Sequence, residues 1–398
     1  MMTKLMGWEW NAGIMQPGPR HTAIRKLFRQ TLGPQVIATY DPMIQKNAED
    51  LIKKLHNFEG DPFEEIVSAV GAVVITVAYG ENVYKDHGKE LTQLGHEALE
   101  TAIYVMTRFW LVEIFPSLRH IPAWTPGATF RQIGVKASQT TSKIYNWPWE
   151  EARRHYNEGT VGPCIAADCM EQGTPIGVAQ DSVAVMFGAG VNTTTTSVIN
   201  FLYAMMLHPH LQQKVQAELD DRIGQNRIIS GEDIPILPYA EAAWRESWRW
   251  HAPVPLGVSR STSQADIYNG MYIPKDSTIM LNVEFMLRDP RTYDHPEVFQ
   301  PERWLESHNP RANELPDAIT VALGFGTRGC AGRHLAERAG FAFALSLLSA
   351  FDIVPMNGGP VPDWRKAAWA EHGDSRPLDF KCSFKPRSEF STHLLGGH

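Results

Sequence analysis

The chain has 398 residues, 43% hydrophobic and 20% charged, a balance that fits a globular protein with a large core and excludes disorder. A formal net charge of −7 and a pI near 6.1, with no basic block, exclude a nucleic-acid partner. The four cysteines, Cys164, Cys169, Cys330 and Cys382, are too few and scattered for a disulfide framework. Cys164 and Cys169 lack companions at zinc-site spacing, and a reducing compartment is the simpler setting.

Met1 to Asn11 includes Lys4, Glu9 and two tryptophans without a continuous apolar run, so neither a signal peptide nor an anchor is expected there. Pro17-Gly18-Pro19 breaks the chain and opens a helix whose Arg25, Lys26 and Arg29 form a basic face, taken alone a solvated one. Apolar residues recur at helical spacing from Tyr40 to Leu55 and from Pro62 to Tyr79, where Gly80 marks a stop. A helix over His87 to Arg108, a loop marked by Phe115-Pro116, Pro122 and Pro126-Gly127, and a helix from about Phe130 to Glu158 follow.

Asp181 to Leu207 is the longest apolar segment. Asn192, the run Thr193 to Thr196, and Asn200 argue against a membrane span, because uncompensated polar groups in lipid are costly. A helix through the core fits better. Its middle, Gly188 to Thr194, joins small residues to hydroxyls that can bond to carbonyls one turn earlier, which bends helices and opens room beside them. A tight helix crossing calls for the same small residues.

Leu237-Pro238-Tyr239 leads into a helix with Glu246 and Arg249 on one face. Two prolines hold Ala252 to Gly257 extended, and Ile267 to Pro274 carries the Asn269-Gly270 hairpin signal. After a stretch rich in glycine and proline, Met356 to Pro362, alternation through Phe380 to Phe384 predicts a small antiparallel sheet. No repeat or linker divides the chain, so residues 1–398 are expected to form one domain, mainly α with small antiparallel β-sheets.

The most informative stretch is Gly324-Phe325-Gly326-Thr327-Arg328-Gly329-Cys330-Ala331-Gly332, opening into an apolar helix near Arg333. Gly324, Gly326 and Gly329 spell a dinucleotide fingerprint after a strand-like run, Ile319 to Leu323, with Asp352 beyond. Against that, Asp352 precedes its apolar run instead of ending it, and the surroundings are helical. In the other reading, backbone N–H groups and a helix N-terminus converge on Cys330 and stabilise its thiolate. A single thiolate on haem iron favours O–O cleavage, and Arg328 could pair with a propionate. A buried inert cysteine is the plain alternative.

The run Phe325 to Gly332 resembles the haem-binding loop of cytochromes P450, and the family's other motifs follow in order over essentially the whole chain, most like fungal microsomal members. Leu323 stands where an aromatic residue is usual and Ala331 where proline is common. Both keep the loop apolar and are expected to tune the thiolate. The resemblance implies a cytochrome P450 fold and haem b, with Cys330 as axial ligand of the iron. It places Arg328, Arg25, Arg260 and His21, which replaces a tryptophan, at the propionates, and Phe325, Gly326 and Gly332 in the loop around the sulfur. Thr193 and Asn192 fall in the oxygen pocket. Asn192 replaces an acid and cannot lose and regain a proton near neutral pH, so Thr193 carries more of the proton relay.

By the same resemblance Ala189, Gly190, Val254 and Leu256 line the substrate pocket, while Glu246, Arg249 and Arg303 form a buried group that retains fold and haem. The implied reaction inserts one oxygen atom from O2 into an apolar small molecule, a terpenoid, polyketide or aromatic scaffold of fungal secondary metabolism. Electrons come from NADPH through a cytochrome P450 reductase; Arg333, His334 and Arg338 form either a docking face for it or an ordinary solvated one. Relative to that family the chain lacks an anchor, hinge and first sheet, so an exposed apolar flank is expected. A full-length relative would sit on the cytosolic face of the endoplasmic reticulum, and this chain in the cytoplasm. A truncated haem-binding remnant is the second reading, and a nucleotide-dependent dehydrogenase the third.

Overall fold

A computed structural model describes residues 2–106, 108–224, 227–370 and 375–387. The fold is carried by helices α1 (Pro19–Thr31), α2 (Asp41–Leu55), α3 (Phe63–Tyr79), α4 (Glu81–Met106), α5 (Thr129–Asn157), α6 (Ile176–Leu207), α7 (Pro209–Arg222), α8 (Pro238–Trp250), α9 (Ala318–Leu323) and α10 (Arg333–Ala350). Proline in the first two positions starts α1, α2, α7 and α8, where its missing N–H costs nothing. Gly80 ends α3 at φ 104°, donating to the Thr76 carbonyl, and a Cβ there would stand 2.4 Å from the Val161 carbonyl oxygen.

The 32-residue α6 is buried on nearly all sides, as a helix apolar all round must be. Helices α1, α3, α4, α5, α8 and α10 pack around it, and their side chains join one continuous apolar core. The helices expected from periodicity are therefore present with shifted ends. Among the described residues no helix is long and apolar enough to cross a membrane.

One expected strand is absent. Ile319 to Leu323 lies in α9, whose N-terminus is capped by the Asp317 carboxylate accepting from the Thr320 N–H at 2.9 Å. A short apolar run is ambiguous by periodicity, and the cap decides it. The glycine loop thus leaves a helix, not a strand. Asp352 lies in the strand Phe351–Pro355, where its Oδ1 accepts from Gln216 at 3.0 Å. A helix before the loop and an acid near the start of its strand rule out the dinucleotide site, and with it the dehydrogenase.

The strands β1 (Glu59–Gly60), β2 (Arg260–Ser261), β3 (Asp266–Tyr268), β4 (Met271–Ile273), β5 (Thr278–Ile279), β6 (Phe351–Pro355) and β7 (Cys382–Pro386) form small antiparallel sheets. One has the order β1-β7-β6, with Ile353 opposite Phe384; the others pair β2 with β5 and β3 with β4. Asn269 and Gly270, at φ 49° and 77°, make the two-residue turn between β3 and β4. Ile267, Tyr268, Met271 and Tyr272 of that hairpin are 60–69% exposed, an apolar surface of the kind that associates.

The sequence motif on α8 closes a buried ionic group. The Glu246 carboxylate accepts from Arg249 Nε and Nη2 at 2.9 Å each, Arg303 Nε at 3.0 Å, Trp304 Nε1 at 2.9 Å and the Gln300 N–H at 2.9 Å. The remaining guanidinium donors reach the carbonyls of Leu287, Asp294, Pro296 and Val298. Trp304 and the Gln300 N–H were not foreseen in the sequence. The group ties α8 to the loop before α9.

Removing the carboxylate leaves two buried cations unpaired, so Glu246→Ala is expected to cost about 3–5 kcal/mol in denaturant unfolding. A loss below about 1 kcal/mol would contradict the structural role. Ile267 and Tyr272 face each other across the hairpin. Ile267→Glu with Tyr272→Lys should therefore raise the monodisperse fraction in gel filtration and leave the thermal midpoint unchanged.

Candidate functional site

The loop between α9 and α10 is set by backbone chemistry. Gly324 and Gly326 adopt φ 79° and 60°, Gly329 donates to the Gly326 carbonyl at 3.2 Å, and the Cys330 N–H returns to the Leu323 carbonyl at 2.8 Å. A Cβ on Gly329 would lie 3.0 Å from the Gly324 carbonyl oxygen, so the turn closes only on glycine. Leu323 and Ala331, the two unusual residues, pack against the apolar core. Phe325 is half exposed.

The Cys330 side chain is open to water-sized contact, yet the surrounding protein desolvates it enough to raise its pKa. The thiol is thus surrounded by protein yet open on one side. The Gly332 N–H, Arg25 and Arg333 pull the other way without prevailing. The expectation that the loop alone holds a thiolate is thereby corrected: its donors are in place, but burial outweighs them in the free thiol. A bound metal ion supplies the missing positive charge and deprotonates a thiol outright. Among the described residues no group of three or more His, Cys, Asp or Glu could hold a metal without help.

Around this cysteine three arginines and a histidine converge. Arg25 Nη1 donates to the Gly329 carbonyl at 2.9 Å, next to the thiol. Arg328 donates to His21 Nε2 at 2.8 Å and to the Met15 carbonyl at 2.9 Å, and Arg260 to the Gly13 carbonyl. Burial lowers the pKa of His21, and the charges of Arg328, Arg25 and Arg260 lower it further. Desolvation likewise lowers Arg25 and Arg260. Among the described residues no carboxylate pairs with Arg25, Arg260 or Arg328, although Arg20, Arg227, Arg249 and Arg338 each have one. Half-buried cations without an acid partner fit an anionic ligand, and the two carboxylates of haem b beside a free thiol meet that requirement.

On α6 the buried pattern is interrupted at Val185, Gly188, Ala189, Gly190 and Thr193. Val185, Ala189 and Thr193 are spaced by one turn and form a single stripe. The Thr193 hydroxyl donates to the Ala189 carbonyl at 2.8 Å, and Thr195 and Ser197 bond back in the same way. Gly188 has open space where its Cβ would be, whereas a Cβ on Gly190 would stand 3.3 Å from Val74 of α3. Gly190 thus serves the α3 crossing, and the open positions are Gly188 and Ala189. Val254 and Leu256 lie in an irregular segment, half-buried and 49% exposed respectively.

Asn192 is buried and turned to α4, where its Nδ2 lies 2.9 Å from His96 Nδ1. It is not gathered with Thr193. His96 was missed because a lone histidine in a helix carries no sequence signal. Arg333 was also assigned elsewhere: it donates to Thr320 Oγ1 at 2.9 Å and its charge reaches Cys330. Arg338 is clamped by both oxygens of Asp41, only 15% exposed, which removes it from the docking face expected with Arg333 and His334.

The family model "Cytochrome P450" matches residues 5–369. A cytochrome P450 monooxygenase of Coprinopsis cinerea is 30% identical over 98% of this chain and 78% of its own length. A tryptamine 4-monooxygenase of Psilocybe cyanescens is 29% identical over 98% and 78%. A zebrafish cytochrome P450 solved with abiraterone superposes with a TM-score of 0.75 at 20% identity, covering 97% of this chain and 87% of that one.

His21 has a lowered pKa in the fold, so the unfolded chain takes up its proton first. Its contribution to stability is complete above pH ~6.5 and is lost as the pH falls. In the apoprotein, His21→Gln should reduce the drop in thermal midpoint between pH 7 and 5. It should not abolish the drop, because burial holds His208 down to about 4 with the same sign. Arg25→Gln should speed haem transfer to apomyoglobin on the order of tenfold, the effect of one lost charged hydrogen bond.

Proposed function

The chain belongs to the cytochrome P450 family, and on that footing we propose that it inserts one oxygen atom of O2 into an apolar small molecule of fungal secondary metabolism. It is a haem-dependent monooxygenase, an oxidoreductase whose iron protoporphyrin IX supplies oxygen activation when bound. The proposed residue roles rest on the geometry above. Cys330 would ligate the haem iron, and Arg25, Arg328, Arg260 and His21 would hold the propionates. Phe325, Gly326 and Gly332 keep the loop tight and apolar around the sulfur.

On α6 Thr193 offers a hydroxyl that can accept and pass a proton, beside the small stripe of Gly188 and Ala189. Ala189, Val254 and Leu256 present hydrocarbon to the substrate, which favours a terpenoid, polyketide or aromatic scaffold. Electrons arrive from NADPH through a cytochrome P450 reductase. A longer form would lie on the cytosolic face of the endoplasmic reticulum, and residues 1–398 act as one domain. The observation that carries the reading is the free thiol of Cys330 set among cations that, among the described residues, have no carboxylate partner. It favours competent haem binding over a remnant.

The experiment is the carbon monoxide difference spectrum of the reduced, haem-loaded protein. The wild type should show the strongly red-shifted Soret band of thiolate-ligated haem, and Cys330→Ala should lose it. Identical spectra from the two proteins would overturn the assignment.

A further inference from the structure

Two segments of the chain reach the cations around Cys330, and neither is held there by a cap or a sheet. Helix α1, which carries His21 and Arg25, starts at Gly18 with no side-chain cap on its first turn. Before it, residues 8–15 run outside any helix or strand, with Asn11 donating to the Trp8 carbonyl at 3.0 Å and Met15 to the Asn11 carbonyl at 2.9 Å. The carbonyls of Ala12, Gly13 and Met15 in this strap nevertheless accept from Arg328 and Arg260.

Both segments are fastened to one side chain. Asp181, in the second turn of α6 and 0% exposed, accepts from Arg20 Nε at 2.5 Å, Arg20 Nη2 at 2.7 Å and the Tyr145 hydroxyl of α5 at 2.9 Å. Arg20 stands in the first turn of α1, immediately before His21, and its guanidinium lies over the first turn of α6, where a Cβ on Gly177 would be 3.9 Å from Nη2. Tyr145 takes the strap: its ring is 5.1 Å from that of Trp10, which stacks on Trp8 at 5.6 Å. Gln180, the neighbour of Asp181, donates to the Tyr145 carbonyl at 3.0 Å and fixes α5 against α6. Burial and the Asp181 charge push the Tyr145 phenol up to about 12, so it remains a donor.

We propose that Asp181 is a positioning residue for the anionic edge of the cofactor. Through Arg20 it sets where α1 presents His21 and Arg25, and through Tyr145 and Trp10 it sets the strap whose carbonyls aim Arg328 and Arg260. The inference rests on the reading that these side chains hold the haem propionates. A buried carboxylate loses its hydration, and a guanidinium that is itself 51% exposed offsets only part of that loss. What the pair supplies is direction: two hydrogen bonds from one guanidinium fix its plane, and with it the first turn of α1. No proton or electron moves in this role.

The test is transfer of cofactor from the full chain to apomyoglobin, followed with haem and with haem dimethyl ester, whose masked carboxylates offer the arginines no charge. Asp181→Asn leaves no buried charge behind and lets the half-exposed Arg20 turn to water, so it is expected to fold. Tyr145→Phe keeps the ring on Trp10 and loses one hydrogen bond. In the wild type the ester should leave faster than haem. In Asp181→Asn the release of haem should rise on the order of tenfold, the effect of one lost charge-assisted hydrogen bond, while release of the ester stays unchanged. Tyr145→Phe should raise haem release roughly threefold, again without moving the ester. A merely structural residue would speed both alike. Equal acceleration of haem and ester in Asp181→Asn, or acceleration of neither, overturns the proposal. Should that variant not fold, either outcome in Tyr145→Phe overturns it. A wild type that releases haem and ester at the same rate overturns the propionate reading on which the proposal stands.

Discussion

Positive charge without a protein counter-charge is the constraint on which the site depends. Elsewhere in this chain a withdrawn arginine meets an acid: Arg249 and Arg303 share Glu246, and Arg338 grips Asp41. Near Cys330 that pattern stops. Arg25, Arg260 and Arg328 donate to main-chain carbonyls, His21 is driven toward its neutral form, and among the described residues no carboxylate answers them. Burying cations this way opposes folding unless an anion arrives. The apoprotein thus carries a local cost that a dianionic cofactor removes, and cofactor retention becomes part of fold stability.

The second constraint is room. A helix as buried as α6 would normally be packed along its whole length, but Val185, Ala189 and Thr193 leave one stripe open while Gly190 lets α3 approach on another side. The hydroxyls of Thr193, Thr195 and Ser197 bond to carbonyls of their own helix, so polar groups sit in the core without further partners. The same few residues therefore answer two demands, a close helix crossing and an open face. The sequence pattern left both readings standing because small side chains suit either.

Much of the fold was legible because it rests on local signals. Gly80 as a stop, the proline starts of α1 and α8, and the Asn269-Gly270 turn are each read from one or two residues. Ile319 to Leu323 misled because five apolar residues suit a strand or a helix, and only the Asp317 cap separates them. In the site, Cys330 and Arg328 stood out in the glycine-rich loop and Glu246 with Arg249 by helical spacing, whereas Arg303 followed from the family resemblance. The partnership of His96 with Asn192 spans 96 positions and no motif announces it. Arg338 looked like a surface cation until Asp41, 297 positions away, was found against it. Long-range pairing decides such roles, and composition is blind to it.

The central claim is that the cations around Cys330 exist for the acidic edge of haem. The most direct measurement is titration of the apoprotein with haem and with haem dimethyl ester, which keeps the iron and ring but masks both carboxylates. The account predicts that both give thiolate ligation when bound, with the ester binding at least about tenfold more weakly, since charge-assisted hydrogen bonds contribute about 1.5–3 kcal/mol each. Equal affinity for haem and its ester would contradict it.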